Sequence, residues 1–572
     1  MQIMLRTLVY LSAVFWPEWN LLAVSYVDAK PLSKVVTDGV TGCGSMAEVQ
    51  VPVITWGGDI ATILANGNSL TTQGGSLFAD QGIKVKLVRE DVFSKQVSGY
   101  LKCRSPYLRG TMGMVNMARE VTDKDAKSKL KVIYQLTWSA GGDALVVKDS
   151  IKRPKDLRGK TIVLQAYGPH VDYLGKILAD AGVKLSEVKL KWVKDLTGTD
   201  ESPMKAFYEK GVDAALVIIP DALALTSNGT VGTGSEDSVR GAKILLSTKS
   251  ANRIIADVYA VRSDYFQKNR EKVGKFVHGL MLAEEKLKNL VSQKSSMKAE
   301  YGKTFKASAK ILLDAEQAVP DAEGLYADAQ FVGWGGNKKF FEDQNYPRGF
   351  KILNSEIQES LKEIKMVSAS GDIGQASWDY KGMRKGIIST GLVETGKFNS
   401  AQVANVVRKR SSQGNLGDDS LFSFEVFFKP NQNAFSADQY AGDFKKVINL
   451  ASTYGGAIIT VEGHSDPLGY LKKKKKGASN VVLQKVRQSA KNLSLTRANA
   501  VRDALVEYAK KKGITVDPTQ FAVVGHGIAK PRSGLCGVDP CAPSTKQQWL
   551  DNMRVEFKII QVEAEEDVFS PI

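Results

Sequence analysis

The chain is poor in the residues that most often carry chemistry. Its 572 residues include only four cysteines and four histidines, the latter at 170, 278, 464 and 526. No histidine has a metal-ligating neighbour at helical spacing, and no second cysteine pair flanks the one close pair, which argues against helical and zinc-ribbon metal centres. A G-x-x-x-x-G-K-[ST] phosphate loop, a G-x-S-x-G nucleophile turn and a paired-carboxylate signature are all missing. Phosphoryl-transfer and hydrolytic chemistry therefore lack their parts, and neither a cofactor nor an enzymatic activity is expected. Beyond the N-terminus no run approaches the roughly 20 apolar residues that cross a bilayer, so the bulk is expected to be soluble. Nucleic-acid motifs and basic helices interleaved with aromatics are also missing, so the net charge of +17 is not read as a nucleic-acid footprint. An anionic wall or membrane surface fits that charge.

What is present is a chain long enough for two or three domains with sizeable cores. At the N-terminus Arg6 supplies a positive start, Leu8 to Trp16 an apolar run and Val27-Asp28-Ala29 a small-residue cleavage site. Residues 1–29 are read as a signal peptide, or as an uncleaved anchor, since Pro17, Glu18 and Asn20 interrupt the run. Cys536 and Cys541 stand five apart in GLCGVDPCAP and predict a local disulfide in an oxidising compartment. Cys43 and Cys103 receive no assignment. Cys43 ends VTGC, but the polar stretch KPLSKVVTDG before it excludes a lipid-attachment signal.

Between about 50 and 393, strand-like and helix-like stretches alternate. VPVITW, GIKVKLV, LKVIYQLTW, ALVVK, KTIVLQ, VKLKWV, VDAALVI and ADVYAV read as strands, and 263–292 as a long helix. The alternation argues an α/β fold with parallel sheet, its second half starting near Asp156. ITWGGDIATILANG, SLFADQGIKVKLV, DLRGKTIVLQAYGPH, KGVDAALVIIPDA and ADVYAVRSDYF resemble the periplasmic solute-binding proteins of ABC importers, the nitrate/sulfonate/taurine/thiamine-precursor type. The resemblance implies a two-lobed periplasmic-binding-protein fold (type II) that closes on a small ligand about a hinge near 144–148 and 256–261. Expected contacts lie on loops after the strands: Trp56, Gly57 and Asp59; Ser139 and Gly141; Tyr167, Gly168 and His170 at a helix start that suits an anion; Pro220 and Asp221; and Arg109 on SPYLRG as partner for an anion. The helix-like QESLKEIKMV at 358–367 is expected to cover the sheet. A small anionic solute and an ABC importer permease are the implied partners.

Residues 394–417 are polar and read as a linker with one short helix. LFSFEVFF at 421–428 then opens a C-terminal domain with Phe422, Phe424, Val426 and Phe428 on one face. Ile458 to Glu462 reads as a strand ended by Gly463, with Asp466 on the turn that follows. Ser494 reads as an N-cap, with Leu495, Ala498, Val501, Leu505 and Tyr508 at helical spacing behind it. Asp466 and Arg497 could together grip a zwitterion, the one taking an ammonium and the other a carboxylate. GHSD at 463–466, LSLTRANAV at 493–501 and NMRVEF at 552–557 resemble the OmpA-like peptidoglycan-binding domain over about 418–562. That resemblance implies a separate α+β domain in which Asp466, Arg497, Asn499, Asn552 and Arg554 hold diaminopimelate of the cell wall. Met553 departs from the family pattern, as does the insertion 470–492, whose Lys472–Lys476 run is expected to be a solvated loop. His464 and His526 are read as turn residues beside glycines. The expectation is a periplasmic solute-binding protein held to peptidoglycan, against a structural rival in which the binding fold is a spacer or sensor.

Overall fold

The computed structural model describes residues 24–44, 48–389, 399–412, 420–428 and 440–560. The apolar core of the expected signal peptide lies outside the described residues, as do parts of the expected linker. Among the described residues no helix is long and apolar enough to cross a membrane.

The first lobe pairs β1 (Val49–Val53) with β2 (Val85–Arg89) in parallel. Beside them stands a sheet built on β4 (Leu130–Ser139) and β10 (Ala256–Arg262), with β3 (Tyr107–Thr111) on one side and β11 (Ala329–Phe331) and β12 (Gly374–Gln375) on the other. Its core is aromatic. Phe276, from the helix Ser263–Ser292, meets Phe78 at 5.1 Å, Tyr107 at 5.0 Å and Tyr259 at 5.5 Å between ring centroids. Each such ring stabilises the lobe by about 2–3 kcal/mol through burial.

The second lobe is a sheet in the order β7 (Lys189–Val193), β6 (Thr161–Gln165), β8 (Ala214–Ile218), β5 (Asp143–Val147), β9 (Lys243–Ser247). β7, β6 and β8 run parallel and β5 and β9 antiparallel to their neighbours. The apolar runs TIVLQ and AALVI are what strands covered on both faces require. The lobe begins at β5, not near Asp156, because ALVVK pairs with β8 and β9. Val24 to Ala29 also lie here: Val27 bridges to Trp192, and the Tyr26 hydroxyl donates to Glu209 at 2.5 Å. After β1 the chain crosses between lobes twice, at 140–142 and 248–255, next to the segments expected to act as hinge. The helix Phe350–Glu363 packs on the helices Met112–Thr122 and His170–Asp180, not on a sheet, so it spans both lobes.

The C-terminal domain is a four-stranded sheet, β13 (Ser420–Phe427), β18 (Arg554–Ile560), β14 (Ile458–His464), β15 (Phe521–Gly527), with a hairpin of β16 (Leu535–Cys536) and β17 (Asp539–Pro540). Two helices, Ala441–Thr453 and Asn480–Lys511, pack on it. Ser494 is not an N-cap. The helix begins at Asn480, because Lys, Gln, Val and Arg before Ser494 continue it, and the Ser494 hydroxyl instead accepts the Gly527 N–H at 2.9 Å. The lysine run is likewise no loop: Lys472–Lys475 end the helix Leu468–Lys475, and Lys474 pairs with Asp539. Within the expected linker, the helix Ser400–Ser412 buries Val403, Val406 and Val407 against Ile458 and Ile560.

The domain sits on one of the two crossovers. Arg253 N–H donates to Thr453 O and Gly456 N–H to Ser250 O, both at 3.2 Å, and the Tyr454 hydroxyl donates to Asp180 at 2.9 Å. Gln520 braces this turn by donating to the carbonyls of Ala451, Tyr454 and Ala457.

Candidate functional site

Two groups of predicted residues fall at two separate places. The first is the interlobe region. Trp56 Nε1 donates to Thr137 Oγ1 at 2.9 Å, and Thr137 donates to Asp257 at 3.0 Å. Arg109 lies on β3 rather than on a loop. It is fully buried, with Asp257 and Asp59 each 2.9 Å from its guanidinium. Burial lifts the Asp59 carboxyl to about 6 against the pull of Arg109. The cation is thus spent on two carboxylates, and the expectation that it meets an incoming anion is corrected. Gly57 marks a close approach: a Cβ there would lie 1.9 Å from Leu325 O.

Ser139, Gly141 and His170 converge on the crossovers. Ser139 Oγ donates to Asp143 at 2.6 Å, His170 Nε2 contacts the other Asp143 oxygen at 2.8 Å, and Gly141 N–H donates to Thr248 Oγ1 at 3.0 Å. The helix start expected to seat an anion already faces a carboxylate of the protein. Tyr167 has φ +61°, and its hydroxyl donates to Lys30 O at 2.7 Å. Gly168 packs against Gln165, and Asp221 is half-buried in the first turn of the helix Ile219–Leu225, where Pro220 is exposed. Sequence reasoning missed Asp172 and Asp328. Burial pushes Asp172 up to about 7 and Asp328 to about 6. Asp172 lies two residues past His170 on the same first turn, a spacing that could have flagged it.

The second place is the end of β14. Gly463 lets this strand touch the long helix: a Cβ would lie 2.0 Å from Ser494 O. That contact brings Asp466 and Arg497, three residues on from each partner, to one end of the domain. Asp466 accepts Leu468 N–H at 3.1 Å and is also held by the Trp549 and Asn552 side chains, yet its Oδ1 is buried without a partner. Burial raises its pKa. Arg497 is 7% exposed, its guanidinium carbon 5.6 Å from the Phe428 ring centroid, and its Nε is buried without a partner. No ion pair reaches it among the described residues, and burial pulls its pKa down. Asn552 is fully buried, its Oδ1 accepting the Arg532 and Ser533 N–H groups. Asn499 turns back to Leu495 O on its own helix. Arg554 projects from the other face of β18, where Glu556 and Glu425 take its guanidinium, so it is set apart from Arg497.

On that other face His464 and His526 are not turn residues. Their rings stack at 5.0 Å, and with Glu462 they bring ligand-type atoms within 4.8 Å of one another. Glu462 and Glu556 each already hold Lys558 at 2.9 Å, and Arg554 holds Glu556 at 2.6 Å. A dication would have to sit beside two fixed cations, so the cluster reads as an internal charge network rather than a metal seat.

Both predicted and unpredicted cysteine pairs form disulfides. Cys536 joins Cys541, and Cys43 joins Cys103 across 60 residues of sequence. The latter accounts for the Cys43 thiol that the polar stretch before it had excluded from lipid attachment.

Residues 71–285 match the protein family described as NMT1/THI5 like. A search of curated proteins finds no match. Among solved structures, the periplasmic aliphatic sulphonate binding protein SsuA of Escherichia coli is 15% identical, with 59% of this chain and 95% of that one covered and a TM-score of 0.39. The periplasmic sulfonate-binding protein SsuA of Methylobacillus flagellatus is 16% identical, covering 60% and 95%, with a TM-score of 0.40. A peptidoglycan-associated lipoprotein of Burkholderia pseudomallei is 18% identical over 24% of this chain and 88% of its own, with a TM-score of 0.17. Two α/β lobes joined by two crossovers define the larger unit as a periplasmic-binding-protein-like fold.

Proposed function

We propose that this is a periplasmic solute-binding protein of the ABC-importer type, with no enzymatic activity, tethered to peptidoglycan by its C-terminal domain. The observation that carries the tether is Arg497, a buried guanidinium over Phe428 without a counter-ion among the described residues. An unpaired buried charge is costly unless a ligand completes it. A free amino-acid end, as diaminopimelate carries, would give its carboxylate to Arg497 and its ammonium to Asp466. The experiment is pelleting of the full chain with purified peptidoglycan. Arg497→Ala should weaken binding by roughly 30-fold or more, the effect of about 2–5 kcal/mol for losing one partner of a buried charge pair. A folded Arg497→Ala chain that pellets like the wild type refutes the assignment. Replacing Lys472–Lys476 should matter mainly at low salt. A sensor reading, in which solute-binding lobes report to the wall-held domain, is favoured by the main-chain bonds between the crossover and Thr453–Gly456.

A further inference from the structure

Between Asp466 and Asp503 the chain carries ten lysines and arginines and no acid. Eight of them belong to the insertion 470–492, which folds as a helical hairpin: the helix Leu468–Lys475, a turn at Gly477 with φ +72°, and the first turns of the helix Asn480–Lys511. Tyr470, Leu483 and Ile528 give the hairpin a small core of its own. Lys472 to Lys476 are all exposed, and among the described residues Lys474 alone of the five is in an ion pair. Its partner Asp539 also accepts the Tyr470 hydroxyl at 2.6 Å and an Arg487 N–H at 3.0 Å. Asp539 thereby fixes the strand hairpin β16–β17, closed by Cys536–Cys541, against both helices. That strand hairpin presents Leu535 at 60% and Val538 at 91% exposure, and Val481 opens the long helix at 66%. Val538 is next in sequence to the carboxylate that holds Lys474, so an apolar tip stands beside the lysine run.

We propose that this basic helical hairpin and the strand hairpin beside it dock on an anionic phospholipid surface. Lysines without counter-ions call for anions, and lipid phosphates supply them in a plane, each lysine near such a surface being worth about fivefold in affinity. The apolar side chains choose among anionic partners. A wall glycan offers Val538 and Leu535 no apolar seat. The headgroup boundary of a bilayer takes such side chains in while the ammonium groups stay among the phosphates. The disulfide shapes the tip before contact, so little ordering is left to be done on binding. The inference does not rest on the wall-binding reading, although the helical hairpin leaves the domain two residues after Asp466.

The test is flotation of the full chain with vesicles of phosphatidylcholine alone and of phosphatidylcholine mixed with phosphatidylglycerol, beside pelleting with purified peptidoglycan. Binding to the mixed vesicles that weakens as salt is raised, with far less binding to the neutral ones, is the expected result. Lys472→Gln, Lys473→Gln, Lys475→Gln and Lys476→Gln together should weaken it by roughly a hundredfold or more. Lys474 is left in place because it holds Asp539, and glutamine suits a helix about as well as lysine, so the chain stays folded. Val538→Ser, at an exposed tip, should weaken vesicle binding about fivefold and leave peptidoglycan pelleting unchanged. Equal binding to both kinds of vesicle overturns the proposal. So does binding to the mixed vesicles that the four lysine substitutions leave intact. A quadruple variant that keeps its vesicle binding and loses peptidoglycan at physiological salt assigns the run to the wall instead.

Discussion

Gly456 offers the sharpest test of how the C-terminal domain is seated. A Cβ at this position would lie 1.8 Å from Lys249 O and 3.2 Å from Asn252 Nδ2 on the interlobe crossover. Backbone oxygen cannot swing aside, so Gly456→Ala must push the domain away from the crossover. The φ of Gly456 is not in the left-handed region, so the substitution is otherwise unstrained. Two main-chain bonds at 3.2 Å lie at this contact, each contributing about 1 kcal/mol net. Overpacking adds about 1–3 kcal/mol, and the stiffer unfolded chain returns about 0.4–1 kcal/mol. The net loss is about 2–4.5 kcal/mol, or roughly 5–15 °C in Tm for a domain of this size. Gly442, with nothing within 4 Å of its would-be Cβ, is the control, and Gly442→Ala should be neutral or slightly stabilising. Thermal unfolding of both variants, with small-angle scattering to read the separation of the domains, decides the matter. A Gly456→Ala chain with the wild-type Tm and scattering profile refutes this docking.

The two units should respond oppositely to acid. Asp172, raised to about 7, and Asp328, raised to about 6, hold protons in the folded chain that the unfolded chain has released, so the two lobes gain stability as pH falls from about 7 towards the ordinary carboxylate range. His464 is depressed to about 3 by burial and by Arg554, and Glu462 and Glu556 to about 2 by their basic partners, so the C-terminal domain loses stability as pH falls below about 6.5. Calorimetry between pH 7 and 5 should show the two transitions moving apart, the C-terminal one down by about 2 kcal/mol from His464 alone; parallel shifts would refute the assignment. Cys43→Ala should destabilise the first lobe far more than Cys536→Ala destabilises the C-terminal domain. A loop of 60 residues is worth about 4 kcal/mol and one of 5 about 2 kcal/mol in chain entropy. Equal Tm losses in the two variants would count against this.

What was legible in the sequence was what depends on neighbours along the chain. The helix over 263–292, the apolar strands of the second lobe, the single aromatic face of 422–428 and the five-residue disulfide are all local patterns, and each forms. Arg109 was misplaced because its partners stand 50 and 148 residues away, and SPYLRG carries no sign that its arginine would be walled in by Asp59 and Asp257. Cys43 and Cys103 failed for the same reason. Ser494 has the look of a cap, but its hydroxyl finds the Gly527 N–H 33 residues on, a partner supplied only by the packed sheet. That Asp466 and Arg497 would come to one end of the domain was legible because motif residues bracket them. Nothing local announced that Arg554 would turn to the opposite face, although its spacing of two from Glu556 on a strand would have placed those two together.

The two crossovers are tied to one another before either meets the C-terminal domain. Thr248 Oγ1 accepts the N–H groups of both Gly141 and Asp143, at 3.0 and 3.1 Å, so the second crossover carries the first. Ser250 and Arg253 then bond to Thr453–Gly456, and Tyr454 reaches Asp180 on the second lobe. Towards the first lobe the junction is looser: a cavity of about 110 Å³ lies between Trp138, Gln330 and Lys339 on one side and Ala451, Val516 and Gln520 on the other. The hydrogen bonds from Thr453–Gly456 thus go to the hinge and the second lobe, and the cavity faces the first. Three such bonds amount to a few kcal/mol, less than the roughly 8 kcal/mol released by a ligand bound at micromolar affinity. On the solute-binding reading proposed above, a ligand of that affinity would have enough free energy to swing the lobes against the clamp. On the proposed tether, the movement would fall on the first lobe, and the wall-held body would be the C-terminal domain together with the second.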